Sequence, residues 1–424
     1  MHIVFFNRSY YPDTSATAQI LAELCESLVN DHGHDVTVVT GVALLSSIGT
    51  RQRFRYFQFI QRERHRCVNV LRARGTSFSK QKFIGRFLNY VTYFVSACLI
   101  SLRIERPDVI VSLTDPPIIG LAALVSARRF RTPFVMSFQD IFPEVAKLME
   151  DFNSSAVNRF LQCVTSYLAR TSDRAVVLGE SMRRRLIETK RADPSRTVVI
   201  PPWADCAQIQ PGPKRNRFSI ANKLADRFVV MHSGNIGLSQ GLDVLVDAAA
   251  YLESYPDILV VFVGDGVKKE HLQEKVRLTG LKNVSFLPYK AKEHLTESFA
   301  SADIFVISLK RGLAGYIVPS KLYGILAAGR PFVASIEEDS EVAGVAKRFN
   351  CGLLAQPGDA AGLAKNILQL YANNHMRQRF GAKAREAALL FDRKVQVKAY
   401  HDLFLQVSGS AGTQQLSRYA KASV

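Results

Sequence analysis

The sequence predicts an α/β protein made of two doubly wound, Rossmann-like domains that face each other across a cleft. Three observations predict it. Short apolar runs alternate with helical patterns from end to end. The alternation restarts after a proline-rich break near residue 201. And 424 residues exceed one ordinary core, suiting two of roughly 200 residues each. The expected domains are 1–205, with a basic and aromatic insertion at about 45–87; 206–390; and 391–424, a C-terminal helix and tail able to cross back to the first domain.

In the first domain, residues 3–7, 36–40, 109–113, 134–138, 175–178 and 198–200 are apolar runs of strand length. Several follow Asp or Pro, as buried parallel strands do. A helical pattern over 16–30 ends at Asp31-His-Gly-His34, whose histidines read as surface or capping residues. The turn after the first strand, Tyr11-Pro-Asp-Thr-Ser-Ala-Thr17, has no glycine, so it makes a poor phosphate loop. Residues 87–102 are apolar but shorter than the roughly 20 residues of a membrane span. They form either a helix buried against the first sheet or part of a surface that dips into a bilayer.

The stretch 210–217, rich in proline, glycine and basic residues, reads as a linker. Strands then follow at 228–232, 259–264, 284–287, 304–309, 332–336 and 352–355, with helices between and tail helices over 360–406. His232-Ser-Gly-Asn-Ile-Gly237 turns the first of these strands towards a helix at 241–252. Gly234, Asn235 and Gly237 there would admit a diphosphate to backbone N–H groups. Gly264, Asp265 and Tyr289 end two further strands, where a plain turn and a ligand contact look alike.

The richest stretch is 304–341. A strand, a glycine-rich turn over 312–318, a helix over 319–328, a stop at Gly329-Arg-Pro331, a second strand and an acidic turn make one βαβ unit. Ligands bind beyond the carboxyl ends of such strands. Tyr316, Ser320, Lys321, Glu338, Asp339 and Glu341 line that end. Ser320 reads as an N-cap and Lys321 as a point charge, a pairing that suits a phosphate-bearing ligand. In the first domain Asp140 and Glu144 stand after a strand, as a carboxylate pair for a hydroxyl or as helix-dipole partners.

The chain carries 55 basic against 37 acidic residues, a formal net charge of +18. The excess concentrates between Arg51 and Arg106, where Arg51, Arg53, Arg55, Arg62, Arg64 and eight further basic residues face only Glu63 and Glu105. Arginines mixed with Phe54, Tyr56, Phe57 and Phe59 suit an anionic lipid surface. Six scattered cysteines without pairing or zinc spacing, and an N-terminus that begins as a strand, point to a reducing cytoplasm. The expected location is cytoplasmic, peripherally on the inner face of the cell membrane.

Taken in order, Gly234-Asn-Ile-Gly237, Val263-Gly-Asp-Gly266, Phe286-Leu-Pro-Tyr289, Ala302-Asp303, Val318-Pro-Ser-Lys-Leu322, Leu326-Ala-Ala-Gly-Arg-Pro331 and Glu341 resemble family 4 glycosyltransferases of the GT-B fold. The look is that of the bacterial fucosamine-transferase-like subgroup of O-antigen and capsule biosynthesis. Tyr11-Pro12, Gly33-His34-Asp35, Arg106-Pro-Asp-Val109, Gln139-Asp-Ile-Phe-Pro-Glu144 and Pro202-Trp-Ala-Asp205 extend the resemblance over nearly the whole chain.

That resemblance implies retaining transfer from a nucleotide diphosphate donor, a UDP-sugar, to a polyprenyl-diphosphate-linked saccharide, without a metal or other cofactor. It places the donor at Gly234, Asn235, Gly237, Gly264, Asp265, Tyr289, Tyr316, Ser320, Lys321 and Glu341, and the acceptor at Ser15, Thr17, Asp140 and Glu144. Asp140 and Lys321 carry the chemistry. The family's two glutamates are replaced by Tyr316 and Gly324, and its histidine by Gln139. A nucleotide-sugar epimerase would share the layout, but the second domain lacks evident acid–base groups for it. A nucleic-acid-binding protein would explain the charge, but no such module is recognisable.

Overall fold

The computed structural model describes residues 1–42, 60–76, 83–148, 154–288 and 294–409. About half of the expected basic aromatic insertion, residues 45–59 and 77–82, and Tyr289 lie outside them. The chain divides into two units, Met1–Pro201 with Gln396–Val424, and Pro202–Val395.

The first unit runs β1 (His2–Phe6), α1 (Ala16–Asn30), β2 (Asp35–Gly41), β3 (Ile60–His65), β4 (Val68–Ala73), α2 (Phe83–Ser101), β5 (Val109–Ser112), α3 (Ile119–Phe130), β6 (Phe134–Ser137), α4 (Glu144–Leu148), α5 (Ser155–Thr171), β7 (Arg174–Val177), α6 (Glu180–Lys190) and β8 (Thr197–Val199). Its sheet order is β3-β4-β2-β1-β5-β6-β7-β8, parallel except for the β3–β4 hairpin. The six expected strands are present, and β3 and β4 are additional. Buried Arg72 hid them: its guanidinium, 1% exposed, binds Glu63, the Gly41 carbonyl at 3.1 Å and the Tyr11 carbonyl at 2.6 Å. A charge so fully paired can sit inside a strand that a hydrophobicity pattern rejects.

Helix α2 is buried along one face only, as the first reading of residues 87–102 expects. Asn89, Tyr93, Ala97 and Ile100 are buried on one face, and Leu88, Val95 and Leu99 are exposed on the other. Among the described residues no helix is long and apolar enough to cross a membrane.

The second unit runs α7 (Arg217–Ala221), β9 (Phe228–Ser233), α8 (Asp243–Tyr251), β10 (Ile258–Val263), α9 (Lys269–Thr279), β11 (Val284–Leu287), α10 (Leu295–Ala300), β12 (Ile304–Ser308), α11 (Lys321–Ala327), β13 (Phe332–Ser335), α12 (Glu341–Phe349), β14 (Gly352–Ala355), α13 (Ala360–Ala372) and α14 (Asn374–Leu390). All six strands are parallel, in the order β11-β10-β9-β12-β13-β14. Runs such as Ile258–Val263 are buried on both faces, which is why they read as unbroken apolar segments.

The stretch 210–217 is anchored within this unit. Lys214 binds Asp303 at 2.5 Å, Arg330 donates to the Gly212 carbonyl at 2.8 Å, and Asn216 closes a capping box on α7. The Ala302-Asp303 and Gly-Arg-Pro motifs therefore do structural duty. Helix α15 (Arg393–Val407) begins in the second unit and packs in the first. There Phe404 meets Phe5 edge to face, Tyr400 bonds Ser137 at 3.2 Å, and His401 bonds His34 at 2.8 Å. His34 is thus a buried residue rather than a surface one, with burial pushing its imidazole down to about 4.

Candidate active site

In the second sheet β10 flanks β9 on one side and β13 flanks β12 on the other, so the strand order reverses between β9 and β12. Ligands of doubly wound sheets gather at the carboxyl end of such a reversal. The loops leaving β9 and β12 carry Gly234 to Gly241 and Leu309 to Ser320, and Lys321 opens α11. Its Nζ lies 3.1 Å from His232 Nε2. A Cβ built on Gly234, whose φ is 121°, would stand 3.8 Å from that Nζ, so a bare glycine backbone borders the cation.

Burial depresses Lys321 to about 7 and holds His232 well below its usual range, with Lys321 adding to the second shift. A neutral imidazole beside an ammonium must accept, because the ammonium has only donors. With Lys321 charged, His232 Nε2 accepts from it; the same nitrogen lies 3.4 Å from the Asn235 carbonyl. His232 was missed as a site residue. The available signal was one polar ring in the run Phe228-Val-Val-Met-His232.

The glycine loop rests on its neighbour. Gly234 N donates to the Val263 carbonyl at 2.9 Å, Ile236 N to the Asp265 carbonyl at 2.8 Å, and Lys268 N to the Ile236 carbonyl at 3.0 Å. A Cβ on Gly264 would fall 2.0 Å from the Gly234 oxygen, and one on Gly266 2.3 Å from the Ile236 oxygen. Those two glycines are explained by backbone lying on backbone. The exposed Asp265 carboxylate accepts from Gly266 N at 2.9 Å. The Gly237 amide donates to Gln240 Oε1 at 2.9 Å, with exposed Asn235 alongside.

Several expectations change here. Helix α11 starts at Lys321, and Ser320 at its N-cap has helical φ and ψ of −61° and −23° with no side-chain cap bond. Leu322 N and Tyr323 N turn back to the Pro319 and Ser320 carbonyls at 3.2 and 3.3 Å. Of this turn's two polar side chains, the lysine rather than the serine cap supplies the distinctive chemistry. In the acidic turn, Glu337 accepts from Gly312 N at 2.9 Å and Ala314 N at 3.3 Å, which braces the glycine-rich turn. Glu338 pairs with Lys347 at 2.7 Å on the surface, and Asp339 is exposed. Glu341 opens α12 behind the Ser340 cap, and Tyr316 is partly buried. The glutamate missing at Gly324 has a steric reason: a Cβ there would meet Phe299 Cε2 at 2.8 Å.

In the first sheet the reversal falls between β1 and β5. Arg8 Nε bonds Asp115 Oδ1 at 3.1 Å, Ser9 Oγ donates to Asp115 Oδ2 at 2.5 Å, and the Arg8 guanidinium stands 5.3 Å from the Tyr90 ring centre. Neither Arg8 nor Asp115 was singled out from sequence, although Asn7-Arg8-Ser9 leaves the first strand directly. Asp140 follows β6, where burial and then Asp115 push its carboxyl up to about 7. It does not pair with Glu144. That carboxylate is held at 2.7 Å by Lys190, which is fully buried and also bound to Gln162. Ser15 caps α1 by accepting from Ala18 N at 3.3 Å, and Thr17 lies in the first turn.

Each of the two doubly wound sheets gathers ionisable side chains at its strand-order reversal, the arrangement of a two-domain α/β protein with a candidate ligand site on each sheet. Comparison with known proteins narrows the class. Residues 15–203 match the glycosyl transferase 4-like domain and residues 214–387 match the glycosyl transferases group 1 domain, so the two together account for most of the chain. The chain belongs to this family of glycosyltransferases.

Among relatives, the probable glycosyltransferase WbjE of Pseudomonas aeruginosa is 27% identical over 68% of this chain and 72% of its own. WcaI of Escherichia coli K12, named as a putative colanic acid biosynthesis glycosyl transferase, is 24% identical over 87% of this chain and 92% of its own. Anabaena HepE, solved with UDP, superposes with a TM-score of 0.73 at 17% identity over 96% of this chain and 100% of its own. The sucrose-phosphate synthase of Thermosynechococcus elongatus gives a TM-score of 0.76 at 16% identity, over 97% and 100%.

Proposed function

We propose that this glycosyltransferase takes the sugar of a UDP-sugar, bound by the second domain, and transfers it with retention to a lipid-linked saccharide during surface polysaccharide assembly, at the inner face of a membrane. The observation that carries the reading is Lys321, a partly buried amine at the strand-order reversal, bordered by bare glycine backbone and held by a neutral histidine. A diphosphate arriving there favours the ammonium, and the ammonium stabilises the charge that develops as the glycosidic bond to the diphosphate breaks. Asp140, ionised above about pH 7, orients or deprotonates the acceptor hydroxyl. No step is routed through a metal.

UDP is favoured because HepE was solved with it. Polysaccharide assembly is favoured by the naming of WcaI and by LpsE of Rhizobium meliloti, a lipopolysaccharide core glycosyltransferase 27% identical over 42% of this chain and 50% of its own. Retention follows the family resemblance, and the changed positions Tyr316 and Gly324 make it a point to measure. The test is a thermal-shift screen of UDP-, GDP- and dTDP-sugars followed by assignment of the product anomer. Stabilisation by a UDP-sugar, lost in Lys321→Ala, is expected; equal stabilisation of parent and variant refutes the reading.

A further inference from the structure

On α2 and just beyond it, Leu88, Val95, Leu99 and Leu102 are 38, 51, 53 and 51% exposed. Their spacings of seven, four and three residues put them on one face of a helix, opposite buried Asn89, Tyr93, Ala97 and Ile100. Val125 of α3, 55% exposed, adds a fifth apolar side chain on the helix that packs beside α2. The ends of the two helices are joined where Arg129 Nη1 donates to the Leu102 carbonyl at 2.9 Å. Exposed Arg103 and Arg106 follow α2, and exposed Arg128, Arg129 and Arg131 end α3, against exposed Glu105 and Asp108 nearby.

Scattered apolar residues need no explanation, but an aligned stripe does. An apolar stripe alone would suit a protein or a lipid. A cationic rim at one end selects an anionic partner, and apolar depth beside arginine is what a bilayer interface accommodates.

We propose that this face of α2 and α3 docks on an anionic lipid bilayer. The stripe enters the headgroup and acyl boundary, and Arg103 and Arg106 face the lipid phosphates, whereas Arg128 donates to Tyr167 Oη at 2.6 Å. The helix lies in the interface, consistent with no described helix being long and apolar enough to span. This deepens the membrane part of the function proposed above and locates it on described residues, apart from the arginines between 51 and 55.

The experiment is co-sedimentation of the full chain with vesicles of phosphatidylcholine alone or mixed with phosphatidylglycerol, without donor or acceptor. Donor thermal shifts on the same samples report separately on the transferase site. The parent is expected to bind only the mixed vesicles. Val95→Glu/Leu99→Glu should weaken this by about tenfold or more, and Arg103→Gln/Arg106→Gln by a few-fold with a flatter salt dependence. Leu278→Glu, at a site 71% exposed on α9, should change nothing. Parent protein that ignores both vesicles, a stripe variant that binds like the parent, or a parent dimer dissolved by the stripe substitutions would each overturn the proposal.

Discussion

At the strand-order reversal of the first sheet, Arg8 is committed to Asp115, and a second carboxyl, Asp140, is raised by burial and by Asp115. At the reversal of the second, Lys321 faces a neutral imidazole and a bare glycine turn. Burial acts on opposite charges at the two edges. It raises Asp140 from 3.8 to about 7 and lowers Lys321 from 10.5 to about 7. One edge is thereby suited to handling a proton and the other to receiving an anion. On the proposed function the same topology would serve two chemistries, because the loop residues and not the sheets set the sign of the charge.

The largest expected effect breaks the first half of this contrast. Asp140→Asn should lower kcat by about a hundredfold to ten-thousandfold while UDP affinity stays unchanged, read by turnover and calorimetry. Breaking the second half costs less: Lys321→Ala should reduce kcat/KM for the donor roughly a hundredfold, a charge-assisted contact worth about 2–3 kcal/mol. The pH profile sharpens the comparison. In the free enzyme Asp140 must lose its proton and Lys321 keep it, so kcat/KM should form a narrow bell centred near pH 7. Lys321→Arg should extend its alkaline limb, since a guanidinium keeps its charge.

His232→Gln retains a hydrogen-bond acceptor and should cost a few-fold in donor KM, whereas His232→Phe should cost about tenfold. A further effect is on stability. Because the folded state of Asp140 holds its proton up to about pH 7, stability declines as pH rises from about 4 through 7. Asp140→Asn should therefore raise the unfolding free energy above pH 7 by an amount on the order of 1 kcal/mol or more, and leave it nearly unchanged near pH 4.

Much of the fold was legible because parallel strands buried on both faces are long apolar runs, as at Phe228–Ser233 and Ile258–Val263. The hairpin of β3 and β4 was not, because Arg72 and Glu63 neutralise each other inside it. Lys321 and Asp140 were legible from their places after strands. Their partners were not: Lys321 meets His232 across 89 residues, and Glu144 meets Lys190 across 46. Sequence spacing shows which loop a group is on, whereas pairing across the sheet edge decides whether it is available or, like Glu144, already used.

Proton uptake on UDP binding tests the role of Lys321 most directly. Calorimetric titrations at about pH 8, in two buffers of different ionisation enthalpy, should show UDP binding accompanied by uptake of most of one proton, abolished in Lys321→Ala. UDP binding without proton uptake, or with the same uptake in Lys321→Ala, would contradict the account.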